Sequence, residues 1–389
     1  MRKSFWRWLG GWVIKINSNY SDNGSQALKA LLLDAIYFRD MVVQIIELPE
    51  KGMIINGLMS ELTMFVIESY DTLIKINPDF KRSFETQNIE HLRNMRHRAK
   101  LLEYVKDIND GLLDLDSINI NQIDRFQSHH KGQLYKLKKL IQPDLGLTKY
   151  KGHFITTTHS TIFDLGSEVI LEKESLFSFG ETVGDYLQTI IGIFKVDETC
   201  IEKKYICRKE DYQMLDIKSK NLFNRSKFEN DNKKFASALI LILVRLNYTK
   251  TITSEFLPQH SDTLIRVKFL NTYHALKSLN KIQSIVMKGT PSDNERMFFK
   301  ETLGKVEAKW LIKQSSLRNL YVHYLLDKKQ LKRLPSKFTR EEAIQVLSEG
   351  LSSQDIDKKL DVLLENITSM IEGFFKLTER TFWINRIET

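Results

Sequence analysis

Cysteine is scarce in this chain of 389 residues: there are two, Cys200 and Cys207. Two thiols at that spacing build neither a secreted disulfide framework nor, by themselves, a four-ligand zinc site, so both are read as buried or incidental. Proline (6) and glycine (17) are also few, which disfavours many short strands and favours long helices rich in Leu, Ile, Lys and Glu. No glycine-rich phosphate loop occurs, which argues against an ATPase or kinase. Long apolar runs are missing too. Phe235–Val244, ended by Arg245, is the longest and has about half the length needed to span a bilayer. The start, MRKSFWRWLGGWVIKINS, has early positive charge and tryptophans suited to a membrane interface. Arg7 interrupts its apolar stretch and no small-residue cleavage site follows, so it is not read as a signal peptide. The expectation is a cytoplasmic protein with no membrane partner.

What is present is globular in proportion, with 42% hydrophobic and 28% charged residues, which excludes a disordered or fibrous chain. The length suggests two domains. A net charge of +9 suits a polyanionic partner, and its distribution sharpens the point. Between Lys313 and Arg340 lie eight lysines and arginines against one acid, Asp327. A second basic segment, Lys131–Lys139, reads as an ordinary solvated helix face.

Helical periodicity predicts an all-α protein of two helical lobes. Ser25–Leu48, Ile54–Ile76, Phe80–Ile108 and Asn121–Ile141 form an N-terminal lobe, residues 1–144. Residues 145–230 are a connector of mixed structure. Its Leu145–Gly180 part, with β-branched Ile155–Thr158 and punctuated by Gly152, Gly166 and Gly180, is a short hairpin or irregular segment, and Glu181–Phe194 is a helix. Polar Asn221–Lys234 is an exposed boundary. A C-terminal helical bundle, residues 231–389, contains Phe235–Asn247, Asp262–Met287, Asn294 to about Lys329, Arg340–Leu347 and Gln354–Ile387.

One element of that bundle carries chemistry: Arg318-Asn319-Leu320-Tyr321-Val322-His323-Tyr324. Arg-x4-His alone is a weak pattern, and Arg125–His130 fits it as well. With Asn directly after Arg and an aromatic after His, inside a helical lobe, it resembles the ribonuclease motif of the HEPN family (higher eukaryotes and prokaryotes nucleotide-binding). These are small helical bundles, many of them metal-independent ribonucleases of toxin, abortive-infection and CRISPR-linked systems. The resemblance covers the motif and at most residues 235–389. It implies an endoribonuclease that needs no cofactor or metal, with Arg318 and His323 catalytic and Asn319 and Tyr324 supporting. His323 would move a proton and Arg318 would stabilise phosphorane charge. Asn319 would orient the helix or the substrate, and Tyr324 would pack beneath the motif or stack on a base. The acid that some members place on an earlier helix would be Glu301 or Glu307.

On a helical wheel Leu317, Leu320, Tyr321, Tyr324 and Leu325 form the core stripe, while Arg318 and His323 lie about 140° apart on the opposite side. One helix alone therefore converges them poorly on one phosphate. The expectation is a homodimer whose seam includes Val322 and Leu326, or a pseudo-dimer within one chain. The second half would then come from the other dense cluster, where Arg93, Asn94, Arg96 and His97 are candidate RNA contacts. That cluster equally suits a structural face paired with acids such as Glu85 and Glu90.

His129-His130, His153 and His159 lack a Cys or carboxylate at ligand spacing, so no metal site is assigned. Thr156–Thr161 has hydroxyls beside a histidine but no nucleophile elbow. Two readings compete with the RNA-cleaving one: a non-catalytic helical module binding RNA or protein, and an adaptor without nucleic acid. Neither the substrate nor any activating or neutralising partner can be read from the residues.

Overall fold

The computed structural model describes residues 21–48, 51–84, 89–127, 143–166, 173–194 and 209–377. The tryptophan-rich start, Lys131–Lys139, His129-His130, Glu85 and both cysteines lie outside them. Helices α1 (Asp22–Ile46), α2 (Lys51–Ile76), α3 (Ile89–Arg98) and α4 (Ile108–Gln127) come first. Strands β1 (Leu145–Tyr150) and β2 (His153–Thr157) follow, then α5 (Thr158–Leu165), α6 (Lys173–Phe194), β3 (Tyr212–Ile217) and α7 (Ser219–Phe223). The remainder is helical: α8 (Ala236–Tyr248), α9 (Asp262–Val286), α10 (Asp293–Leu303), α11 (Val306–Lys313), α12 (Ser315–His323), α13 (Arg340–Leu347) and α14 (Ser353–Phe374). The expected helical character holds, with a small sheet added.

Helix starts follow the local chemistry. Ser292/Glu295, Thr339/Glu342 and Ser352/Asp355 each make a reciprocal capping box at the head of α10, α13 and α14. The hairpin expected after residue 144 is β1–β2, and its two-residue turn puts Lys151 (φ 49°) and Gly152 (φ 86°) in the left-handed region, as a tight antiparallel turn requires. β3 joins β1 on the other side, antiparallel, with Leu145 opposite Ile217 and Tyr150 opposite Tyr212.

Two long helices expected from periodicity are broken. Phe80–Ile108 becomes a 3₁₀ turn at Pro78–Ser83, then α3, then a 3₁₀ turn at Leu101–Glu103. Leu101 takes φ 54°, and Leu101 and Leu102 drop into the core. There Ser278 Oγ accepts from the Leu102 amide, and Lys281 Nζ donates to the carbonyls of Leu102, Glu103 and Val105. Tertiary bonds have won over helical propensity. Asn294–Lys329 likewise splits into α10, α11 and α12. Gly304 closes α10 where a Cβ would lie 2.3 Å from the Lys300 carbonyl oxygen, and Tyr324 ends α12 at φ 57°. The Asn221–Lys234 boundary is pinned to the core by Leu222 and Phe228.

Two apolar clusters make the interior, and neither respects the divisions at residues 144 and 231. One joins Leu101 and Leu102 to β1, α8, α14 and the inner face of α12. The other joins α1 and α2 to α6, Tyr248, Leu264 and Tyr324. α9 serves both, and it carries an unusual set of buried polar groups. Arg266 pairs with Asp34 of α1, Asn271 donates to Glu61 of α2, His274 bonds Glu103, and Lys268 meets Asp357 of α14. Asn230–Phe256 is one helical run long and apolar enough to cross a membrane, but 89% of its most apolar window is buried inside the fold.

Candidate functional site

α12 is buried on more than one side. Leu317, Leu320, Tyr321 and Tyr324 face the core as the wheel predicts, and so does Val322 at 1% exposure, with Leu326 at 6% just beyond. This corrects the expected dimer seam: the two side chains assigned to it pack inside their own chain. Only the flank bearing Arg318, Asn319 and His323 remains partly open.

His323 is 38% exposed, and its Nδ1 lies 2.7 Å from Oε2 of Glu68, a carboxylate 2% exposed on α2. Thr72 Oγ1 donates to the His323 carbonyl oxygen at 3.0 Å and fixes the backbone there. The other Glu68 oxygen accepts from Arg96 Nε at 2.6 Å and from the same guanidinium's Nη2. Burial pushes the Glu68 carboxyl up, but His323 and Arg96 together outweigh it and hold it below the usual glutamate range. The acid beside His323 is thus Glu68, not Glu301 or Glu307. Its fixed charge orients the ring and leaves Nε2 as the nitrogen facing outward.

Arg318 extends along the other part of the same flank. Nη1 donates to Asn319 Oδ1 at 3.0 Å, and Nε is buried without a hydrogen-bond partner. Asn319 therefore steadies the guanidinium. The neighbours that feel the Arg318 charge are Lys100, Glu103, Tyr273 and His274. Lys100 is pushed down to about 8, first by burial and then by Arg96 and Arg318 on either side. Among the described residues, no carboxylate comes within ion-pair distance of Lys100 or Arg318. Beneath them His274 is fully buried. Burial lowers its affinity for a proton, its Nδ1 bonds Glu103, and its Nε2 has no partner.

The two Arg-Asn segments meet here. Arg96 joins His323 through Glu68, and Lys100, four residues on, faces Arg318, five residues back. The pairs cross in opposite chain directions. Their remaining cluster residues behave differently. Arg93 is held by Asp71, with Nη2 to Oδ1 at 2.8 Å, and stands only 3.9 Å from Glu90. Asn94 and His97 are exposed on the outer side.

Tyr324 packs beneath the motif and is not available to a base. Its hydroxyl donates to Asp34 at 2.5 Å, and its ring lies 4.7 Å under the Arg266 guanidinium. Of the other histidines, His153 bonds Glu372 at 3.1 Å, and buried His159 stacks on Phe223. Sequence reasoning passed over Glu68, Lys100, Glu103 and His274. Glu68 did leave a signal, since it ends the apolar run Leu62–Ile67 on a helix that has to bury it. No family model, curated protein or solved structure matches the chain.

Proposed function

We propose that this protein is a metal-independent endoribonuclease of HEPN type, cutting RNA by attack of the 2′-hydroxyl on the adjacent phosphorus. The observation that carries this reading is the arrangement on the open flank of α12. Among the described residues, two cations with no carboxylate at ion-pair distance, Arg318 and Lys100, act on each other, and Glu68, which holds the His323 Nδ1, also acts electrostatically on Lys100. A phosphodiester supplies the missing negative charge. Arg318 then stabilises the charge that develops on the phosphorane oxygens. His323, through Nε2, takes the 2′-hydroxyl proton or gives one to the departing 5′ oxygen. The new O2′–P bond replaces the P–O5′ bond, leaving a 2′,3′-cyclic phosphate and a 5′-hydroxyl.

The reading favours the pseudo-dimer within one chain, because Arg96 and Lys100 come from the second Arg-Asn segment. By its resemblance such an enzyme serves a defence or toxin-type system in the cytoplasm. A second reading, a non-catalytic module binding RNA or protein, draws on Arg93 and Arg96, which are neutralised by Asp71 and Glu68 as a purely structural face would be. The test is incubation of purified protein with labelled RNA and excess chelator. Wild type should yield cyclic-phosphate ends, and Arg318→Ala or His323→Ala should each lower the rate by about 10²-fold or more with helical content unchanged. Full activity in either variant removes the assignment, and 3′-hydroxyl ends point instead to metal-activated water.

A further inference from the structure

A cleft of about 520 Å³ opens between the Pro78–Ser83 turn and α6. That volume lies within the range of sites that hold small ligands. One wall is a single stripe of α6, residues Asp185, Gln188, Thr189 and Gly192, spaced three, four and seven along the helix. It is the polar face of an amphipathic helix, turned away from buried Val183, Tyr186, Leu187 and Ile190, and it forms this wall of the cleft. The other wall is Arg82, Ser83 and Phe84. Phe84 is partly exposed and stacks on Tyr186, with centroids 5.6 Å apart and planes 22° apart, while Tyr70 meets both rings edge-on. The edge contacts of Tyr70 hold the stack rigid.

The lining offers what a base uses: a supported aromatic ring, an amide that both donates and accepts and a hydroxyl, together with the Asp185 carboxylate, which accepts from exocyclic amines, and the Arg82 guanidinium. Gly192 lies at the end of the cleft, where a Cβ would meet nothing within 4 Å, so a larger side chain there can project into the cleft without displacing a neighbour. The cleft is also tied to the site on α12. α2 sends Glu68 to His323 and, within one turn, Tyr70 to the Phe84–Tyr186 stack and Asp71 to Arg93. Arg93, which Asp71 holds, lies one turn before Arg96 and acts electrostatically on Tyr70 and Tyr186.

We propose that this cleft receives an unstacked nucleobase of single-stranded RNA, stacked on Phe84 and read by Gln188 and Thr189, while the strand passes Arg93 toward His323. The identity of the strand as substrate rests on the ribonuclease reading, but the pocket does not. Binding is therefore measured in the His323→Ala protein with excess chelator, by fluorescence anisotropy of labelled oligo(A), oligo(U) and oligo(C), with free AMP as competitor. Gly192→Met fills the cleft and raises helix propensity, so it should fold normally. It should weaken binding of the preferred homopolymer about tenfold, and Phe84→Leu should do the same, the loss expected for one stacked base. Preference among the three homopolymers should flatten in both. Affinity and preference unchanged in Gly192→Met overturn the pocket, as does failure of the parent protein to bind any of the three. AMP competing as strongly as the oligonucleotide makes the ligand a free nucleotide and overturns the strand. Cleft-dependent binding by a protein whose wild type cuts no RNA leaves the pocket standing and removes the nuclease. Cleavage by wild type with binding indifferent to the cleft does the reverse.

Discussion

Glu68 is the residue on which the candidate site turns. It is buried, charged, and shared between Arg96 and His323, so both side chains depend on it for a partner. Glu68→Gln should cost roughly 3–5 kcal/mol of stability, the range for breaking a buried ion pair from one side, read by denaturant unfolding. Because its carboxyl is held below the usual value in the fold, the stabilisation it gives is present above the unfolded glutamate pKa and is lost as pH falls through the lower folded value. Acid unfolding of wild type should therefore begin below about pH 4.3, and the difference from Glu68→Gln should shrink there. Lys100 has the opposite sign. Its folded value is depressed from 10.5 to about 8, so its charge opposes folding below pH 8 and the penalty fades as pH rises toward 10.5. Lys100→Met should melt higher than wild type at pH 7, with the gap closing by pH 10.5, yet bind RNA more weakly and with a shallower salt dependence. A variant that is less stable at pH 7 and binds equally well would remove Lys100 from the anion site.

At the scale of elements, Tyr324 decides where α12 stops. Its hydroxyl bonds Asp34 and its backbone takes a positive φ, so the motif helix ends at His323. Tyr324→Phe should cost about 1–3 kcal/mol, because Asp34 then loses a donor inside the core. An unchanged unfolding midpoint would mean that Arg266 and Thr263 satisfy Asp34 without it. This stop was not legible in the sequence. The periodicity of Asn294–Lys329 is continuous, and the bonds that break it come from α1, nearly 300 residues earlier. The break at Leu101-Leu102 misleads for the same reason, since Ser278 and Lys281, the partners of Leu102, are far along the chain. What could be read was local. Periodicity placed the heads of α10, α13 and α14 to within a residue, β-branched residues and glycine pointed to β1–β2, and Arg-Asn-x3-His marked one flank of one helix. β3 passed unnoticed because six residues against a partner more than sixty positions away leave little pattern.

For the molecule as a whole, burial of Val322 and Leu326 changes what an assembly experiment should show. Val322→Asp/Leu326→Asp places two carboxylates in the chain's own dry core, so it should lose the fold rather than split a dimer, visible as lost helical signal in circular dichroism. If Arg96 and Lys100 complete the site within one chain, specific activity should stay constant on dilution to concentrations where sedimentation shows only monomer. Activity that falls with dilution would return the second half of the site to a partner copy.

The polar groups of α9 reach four other elements from one helix, and both apolar clusters lean on it. Had each cluster its own scaffold, the chain could open in two separate steps. With this helix common to both, amide hydrogens in α1 and in α14 should exchange with deuterium through the same rare opening. Loosening either end of the protein then loosens the other, and the flank between them with it.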